Sequence, residues 1–237
     1  MPDKTDRPDA TNGNVRVWDV PVRLFHWTLV ALLVTSYFSA RAGGDWMNLH
    51  FWSGYGILTL LLFRIAWGFV GSTTARFAHF VKGPASCATY LKSFLTGRRT
   101  YETGHNPVGG LMVVVLILAV LAQVLTGLFA SDTDTGMING PLANRIPDKW
   151  VDRLTSFHFF WINVLLALAA LHVLAAFAYL VWKRQNLIGA MFTGRKPLAD
   201  VAETGKPAPR LAFVSGRLAL SLLIVAAAIV YFIVRPF

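Results

Sequence analysis

The chain has 237 residues, of which 55% are hydrophobic and only 14% charged, and its mean hydropathy is +0.52. So little charge excludes an ordinary soluble domain. The net charge of +10 does not point to nucleic acid, because the basic residues are spread over loops and form no recognisable binding module.

Residues 1–14 (MPDKTDRPDATNGN) are polar and read as a disordered cytoplasmic tail. Five apolar runs follow, at 22–40, 49–70, 108–130, 157–182 and 213–234. Each is long enough to cross about 30 Å of hydrocarbon as a helix. The fold class expected is therefore all-α: a polytopic membrane protein whose first four runs, helices I to IV, lie within 15–192. Residues 193–210 are expected as a linker and 211–237 as a fifth, C-terminal transmembrane helix V. Transmembrane strands are excluded, since an open sheet would leave backbone groups unpaired in lipid and the runs are too long and uniformly apolar for a barrel. The first run does not read as a cleaved signal peptide. It follows about twenty polar residues that include four aspartates, with no small-residue cleavage pattern.

The loops add detail. Between helices II and III, PASCATYLKSFLTG has Pro84 placed to start and Gly97 to stop a short helix at the membrane surface. Ser131–Ser156, between helices III and IV, is of mixed charge and reads as an interaction surface. With the N-terminus inside, 16 basic residues fall on the cytoplasmic side and 5 outside, with Arg64 inside helix II. That asymmetry predicts a multi-pass membrane protein, N-terminus in and C-terminus out, with its basic loops facing membrane lipid.

Helix IV carries His158 and, fourteen residues later, His172. At about 1.5 Å and 100° per residue they lie roughly 21 Å apart along the helix and only about 40° apart around it. Histidines on one face at two depths are what two stacked haems require, each iron held by axial nitrogens. Helix direction places His50 at the level of His158 and His26 at the level of His172, which predicts those two pairs. A lone membrane histidine can simply pack or bond a carbonyl, and four of them can also mark a proton or ion pathway. One tetrahedral zinc is disfavoured by the distance between the levels. The only cysteine is Cys87 and there is no C-x-x-C-H, so any haem would be b-type.

VWDVPVRLFHW (Val17–Trp27), RIAWGFVGS (Arg64–Ser72), the following ARFAHF and GHNPVGGLMVV (Gly104–Val114) resemble the bacterial cytochrome b561 and nickel-hydrogenase b-type cytochrome family over roughly Asn14–Phe192. The resemblance implies a four-helix bundle holding two b haems, with His26, His50, His158 and His172 as the metal ligands. It implies electron transfer between a membrane quinone and an outer-face redox partner. Helix V lies outside it.

Other residues carry two readings each. Arg23, three residues before His26, is either a haem-propionate partner or an inside anchor. Arg64, fourteen residues after His50, needs a partner for its charge, and a propionate is the nearest. Gly54, Gly56 and Gly127 admit either a macrocycle or a neighbouring helix. Asn106 caps helix III ahead of Pro107, or, as the resemblance implies, forms a cytoplasmic-side quinone site with Gly109 and the edge of the His172 haem.

The reading reached is an electron-transfer subunit of a quinone-linked oxidoreductase: a di-haem cytochrome b docking an outer-face hydrogenase, dehydrogenase or c-type cytochrome. Two others stay open. One is a self-contained quinone oxidoreductase acting on a small substrate such as superoxide; the other is a haem-free transporter using its histidines for protons.

Overall fold

The computed structural model describes residues 13–97, 100–132, 138–202 and 210–235. The tail expected at 1–14 therefore falls almost wholly outside the described residues. Among the described residues five helices are long and apolar enough to cross a membrane: α1 (Val20–Ala42), α2 (Met47–Val70), then, after the short α3 (Phe77–Phe80) and α4 (Pro84–Leu95), α5 (Pro107–Gly127), α6 (Asp148–Ala178) and, near the C-terminus, α9 (Gly216–Val234). The protein is an all-α polytopic membrane protein. The described residues also form two three-residue strands, β1 (Asn14–Arg16) and β2 (Arg195–Pro197), and the short helices α7 (Leu187–Thr193) and α8 (Leu198–Val201).

Three of the helix starts, those of α1, α5 and α7, carry side-chain caps. Asp19 accepts the Val22 amide at 2.8 Å and so supplies one of the acceptors that the first turn of α1 lacks. Its other oxygen takes the indole N–H of Trp67 at 3.0 Å, leaving the carboxylate 1% exposed. Asn106 and Asn186 do the same for α5 and α7, each accepting a glycine amide three residues on at 2.7 Å. The short surface helix spans Pro84–Leu95, with proline in its first turn and Gly97 beyond its end at φ +73°. α6 begins nine residues before the apolar run because Pro147 offers its carbonyl to Trp150 and Val151, and Asp148, Lys149, Asp152 and Arg153 form a polar first stretch. A hydropathy scan does not register such turns. At its other end α6 passes into a π-turn at Tyr179–Lys183, which Arg184 ends in a left-handed conformation.

The chain forms two compact units. The first takes the chain up to Leu24, Ala66–Val113 and His172–Leu218. Here β1 pairs antiparallel with β2, Val15 opposite Lys196, so the segment expected as a linker carries a strand and a helix where it is described. Its charged, proline-containing sequence hides the strand, because the partner that completes it lies near the other end of the chain. The Gly194 carbonyl accepts the Val17 and Trp18 amides, and Thr74 donates to the Val17 carbonyl at 2.6 Å. Further on, Ala212 exchanges hydrogen bonds with Thr73, and Val214 donates to Ser72.

The second unit comprises Phe25–Ile65, Val114–Leu171 and Ala219–Phe237. Leu58, Leu128 and Val230 form its buried cluster, so α9 contributes to the core rather than standing apart. Gly56 lets α1 approach α2: a Cβ there would lie 2.9 Å from the Leu32 Cδ1.

Gly110, in the first unit, is the tightest test of this packing. A Cβ there would stand 2.4 Å from the Phe80 carbonyl oxygen, a backbone atom that no rotamer change can move. Gly110→Ala should destabilise the protein by about 1–3 kcal/mol, seen as a lowered midpoint on thermal unfolding in detergent. Gly54→Ala, where nothing lies within 4 Å, should leave that midpoint essentially unchanged.

Candidate haem site

Within the second unit α2 brings His50 opposite His158 of α6. The ring centroids lie 6.3 Å apart and the planes meet at 84°. Each imidazole is oriented through Nδ1. That of His50 is 2.9 Å from the Ser36 carbonyl and 3.1 Å from the Ser36 hydroxyl, and that of His158 is 2.9 Å from the Gln123 carbonyl. A carbonyl only accepts, so Nδ1 carries the proton in both rings and Nε2 is the nitrogen with a lone pair to offer. Metal-binding histidines are commonly held in this way.

The spacing suits a shared iron. Two imidazoles on opposite sides of one metal, with bonds of about 2.0 Å and about 1.1 Å from nitrogen to ring centre, place their centroids about 6.2 Å apart. Among the described residues no group of three or more His, Cys, Asp or Glu could hold a metal ion. The donors on offer are thus an imidazole pair, which fits the two axial positions of a haem and not a four-ligand zinc site.

α5 packs close behind His158. A Cβ at Gly127 would lie 2.8 Å from the His158 Cε1, so glycine there gives the ring its room. Thr126 approaches Nδ1 at 3.3 Å while its hydroxyl also bonds the Ala122 and Gln123 carbonyls. The Gln123 amide nitrogen lies 3.2 Å from the His158 carbonyl, 3.2 Å from Nδ1 and 3.3 Å from Nε2. Ser36, Gln123 and Thr126 were not singled out by sequence reasoning. A glutamine inside a helix as apolar as α5 is a signal that could have found one of them.

The remaining expected residues are placed as follows. His26 and His172 are each half-buried, on α1 and α6. Arg64 is 2% exposed within α2. Arg23 donates its Nε to the Met191 carbonyl at 3.3 Å and a terminal nitrogen to the Phe192 carbonyl, so this cation caps the C-terminal end of α7. Asn106 accepts the Gly109 amide and donates to the Tyr179 hydroxyl at 2.9 Å; Tyr179 in turn bonds the Tyr90 hydroxyl. Both tyrosines were missed, because neither the surface helix nor the π-turn announces that its ring reaches Asn106.

The sequence matches the family described as prokaryotic cytochrome b561 over residues 17–194. A probable Ni/Fe-hydrogenase B-type cytochrome subunit of Rhizobium leguminosarum bv. viciae is 23% identical over 218 residues, covering 79% of this chain and 90% of that protein. Proteins of the same description from Rhodobacter capsulatus and Azotobacter chroococcum mcd 1 are 26% and 28% identical. They cover 79% and 78% of this chain, and 83% and 90% of their own lengths. No solved structure matches with significance. With its apolar helices, its imidazole pair and a match that runs through four of the five long helices, the chain belongs to the prokaryotic cytochrome b561 family.

Proposed function

We propose that this membrane b-type cytochrome carries two haems and relays electrons between a membrane quinone and an outer-face redox partner. The observation that carries the reading is the His50–His158 pair, at a spacing that fits one iron and with both Nδ1 protons held by carbonyls. His26 and His172 are the proposed ligands at the second level, on the periodicity of helix IV and the direction of the helices. A hydrogenase is the partner favoured, since the relatives are described as hydrogenase cytochrome subunits. The bacterial inner membrane, with the N-terminus cytoplasmic, is the proposed setting.

When bound between two histidines, haem supplies one-electron transfer with no open coordination position. The protein's part is positional. The Ser36 and Gln123 carbonyls fix the tautomer and aim the two Nε2 atoms. Gly127 keeps α5 clear of the His158 ring. Arg64 is the proposed propionate partner, a buried cation on the same helix as His50; Arg23 serves α7 through the carbonyls it caps. Asn106 and Gly109 are the proposed quinone site. An amide nitrogen carries two protons, of which the Tyr179 hydroxyl takes one, and the other suits a quinone oxygen.

A pyridine haemochrome assay should find two b haems per chain. His50→Ala and His158→Ala should each remove one haem, and the same one, so that the double variant loses no more than either. Loss of different haems would refute the pairing, and a purified chain without a Soret band would refute the haem itself.

Gly127→Ala should loosen the His158 haem by about 10- to 100-fold in affinity, the range expected when the support of a ligand is disturbed. Haem transfer to a scavenger protein measures this.

Reduction puts negative charge on a quinone oxygen, and an amide donor in a site sheltered from water stabilises it by about 1–3 kcal/mol. Asn106→Leu should therefore slow quinol-driven haem reduction about 5- to 150-fold while both haem spectra persist. If Asn106 serves only as the α5 cap, the variant loses about 1 kcal/mol of stability and its quinone kinetics stay normal.

A further inference from the structure

Beside the start of α5, in the first unit, lies a cleft of about 420 Å³ lined by His79, Lys82, Ser86, Glu102, His105 and Pro107. Three proton-carrying side chains thus share one cleft, and His105 is the residue next to Asn106. The His105 ring is held between Trp18 and Phe80, with centroids 4.7 Å from each. The loop that carries Glu102 and His105 is pinned from beneath. Lys196, 7% exposed on β2, donates its ammonium to the Glu102 and Gly104 carbonyls at 3.3 and 3.1 Å.

We propose that this cleft is the proton entry of the quinone site, with Glu102, His79 and His105 passing protons between water and the quinone held at Asn106. The proposal rests on the quinone reading above. In the direction of reduction the quinone gains two electrons from the cytochrome, one at a time, and two protons from water through the cleft. Two O–H bonds form on the quinone oxygens as its two C=O π bonds are lost and the ring becomes aromatic; each proton leaves a relay group that water reprotonates, and oxidation reverses every step.

Charge is the physical reason for such an entry. Each electron added at the foot of an apolar helix leaves a negative charge that the surroundings solvate poorly, so a proton must arrive with it. The electrostatics of the cleft suit this task. Burial pushes the Glu102 carboxyl above the usual carboxylate range, against the pull of Lys196 and Lys82. Burial, with Lys82 and Arg76 adding to it, draws His79 below the usual imidazole range. The two groups approach each other in acidity, which makes proton exchange between them inexpensive. Burial also lowers Lys196 to about 8, opposed by Asp200 and Glu102. An acid must hold its proton to donate it, so quinone reduction should slow as pH rises through the elevated Glu102 pKa.

The test uses the full-length, haem-loaded protein and a short-chain ubiquinone. Glu102→Gln should slow quinone reduction by about 100-fold and flatten its pH profile, while reduction of both haems by dithionite stays normal. Added imidazole or formate should restore part of the rate, and Glu102→Asp most of it. In the wild type, the infrared difference spectrum on quinone reduction should contain a carboxyl signal that Glu102→Gln abolishes. His79→Gln gives a second variant with the same expected kinetic defect. Wild-type rate and pH profile in both variants would overturn the proton entry; if Asn106→Leu is slow in the same assay, the quinone reading stands without it. A slow Glu102→Gln that no small acid rescues, with no carboxyl signal in the wild type, would make Glu102 structural and overturn the proposal. A wild-type protein with both haems that does not reduce the quinone would overturn both readings.

Discussion

Within an α-helix each carbonyl is already engaged by the amide four residues on, yet two of them, at Ser36 and Gln123, also accept a proton from an imidazole. The arrangement of the second unit turns on these two bonds. They decide which nitrogen of each ring carries hydrogen, and so which one is left with a lone pair for a metal. They also tie α1 to α2 and α5 to α6, because each histidine reaches across to a neighbouring helix for its acceptor. An imidazole turned the other way would offer an N–H where a ligand is needed. The glycine at 127 is then a consequence of geometry: a side chain there would stand against the His158 ring.

The first unit solves a different problem, that of polar chain entering and leaving an apolar medium. Three helices start there on Asp19, Asn106 and Asn186, each spending a side-chain oxygen on an otherwise orphaned amide. Arg23 closes the end of α7, and Lys196 spans two loop carbonyls. Both cations thus sit on backbone carbonyls. Asn106 stands out because it serves two masters, the α5 cap through its oxygen and Tyr179 through its nitrogen.

Helical spans were legible because 18 or more apolar residues in a row leave little choice of structure. The fourteen-residue interval between His158 and His172 was legible for a similar reason, since helix periodicity alone sets their common face. What escaped was whatever depends on contacts between distant segments. Nothing near Gln123 says that its carbonyl will meet His158, and nothing near Tyr90 says that it will meet Tyr179. The polar opening of α6 was lost for the opposite reason: hydropathy records where lipid begins, whereas the helix starts where Pro147 offers its carbonyl. Arg23 shows the limit of facial arguments. Its spacing from His26 says which side of α1 it leaves from, but its guanidinium is long enough to settle on carbonyls of α7.

The pairing of β1 with β2 has a consequence for how the protein is made. Val15 meets Lys196 across about 180 residues of intervening chain. The ribosome delivers the first strand before any long helix and the second only after α6 and α7, so the ribbon can close only when four of the five long helices have been synthesised. Until then Val15 lacks the strand it pairs with, and the amides of Val17 and Trp18 lack the Gly194 carbonyl. Closing so long a loop is entropically expensive but only slowly more so with length. It makes the ribbon a late step of folding, one that cannot precede the synthesis of α7.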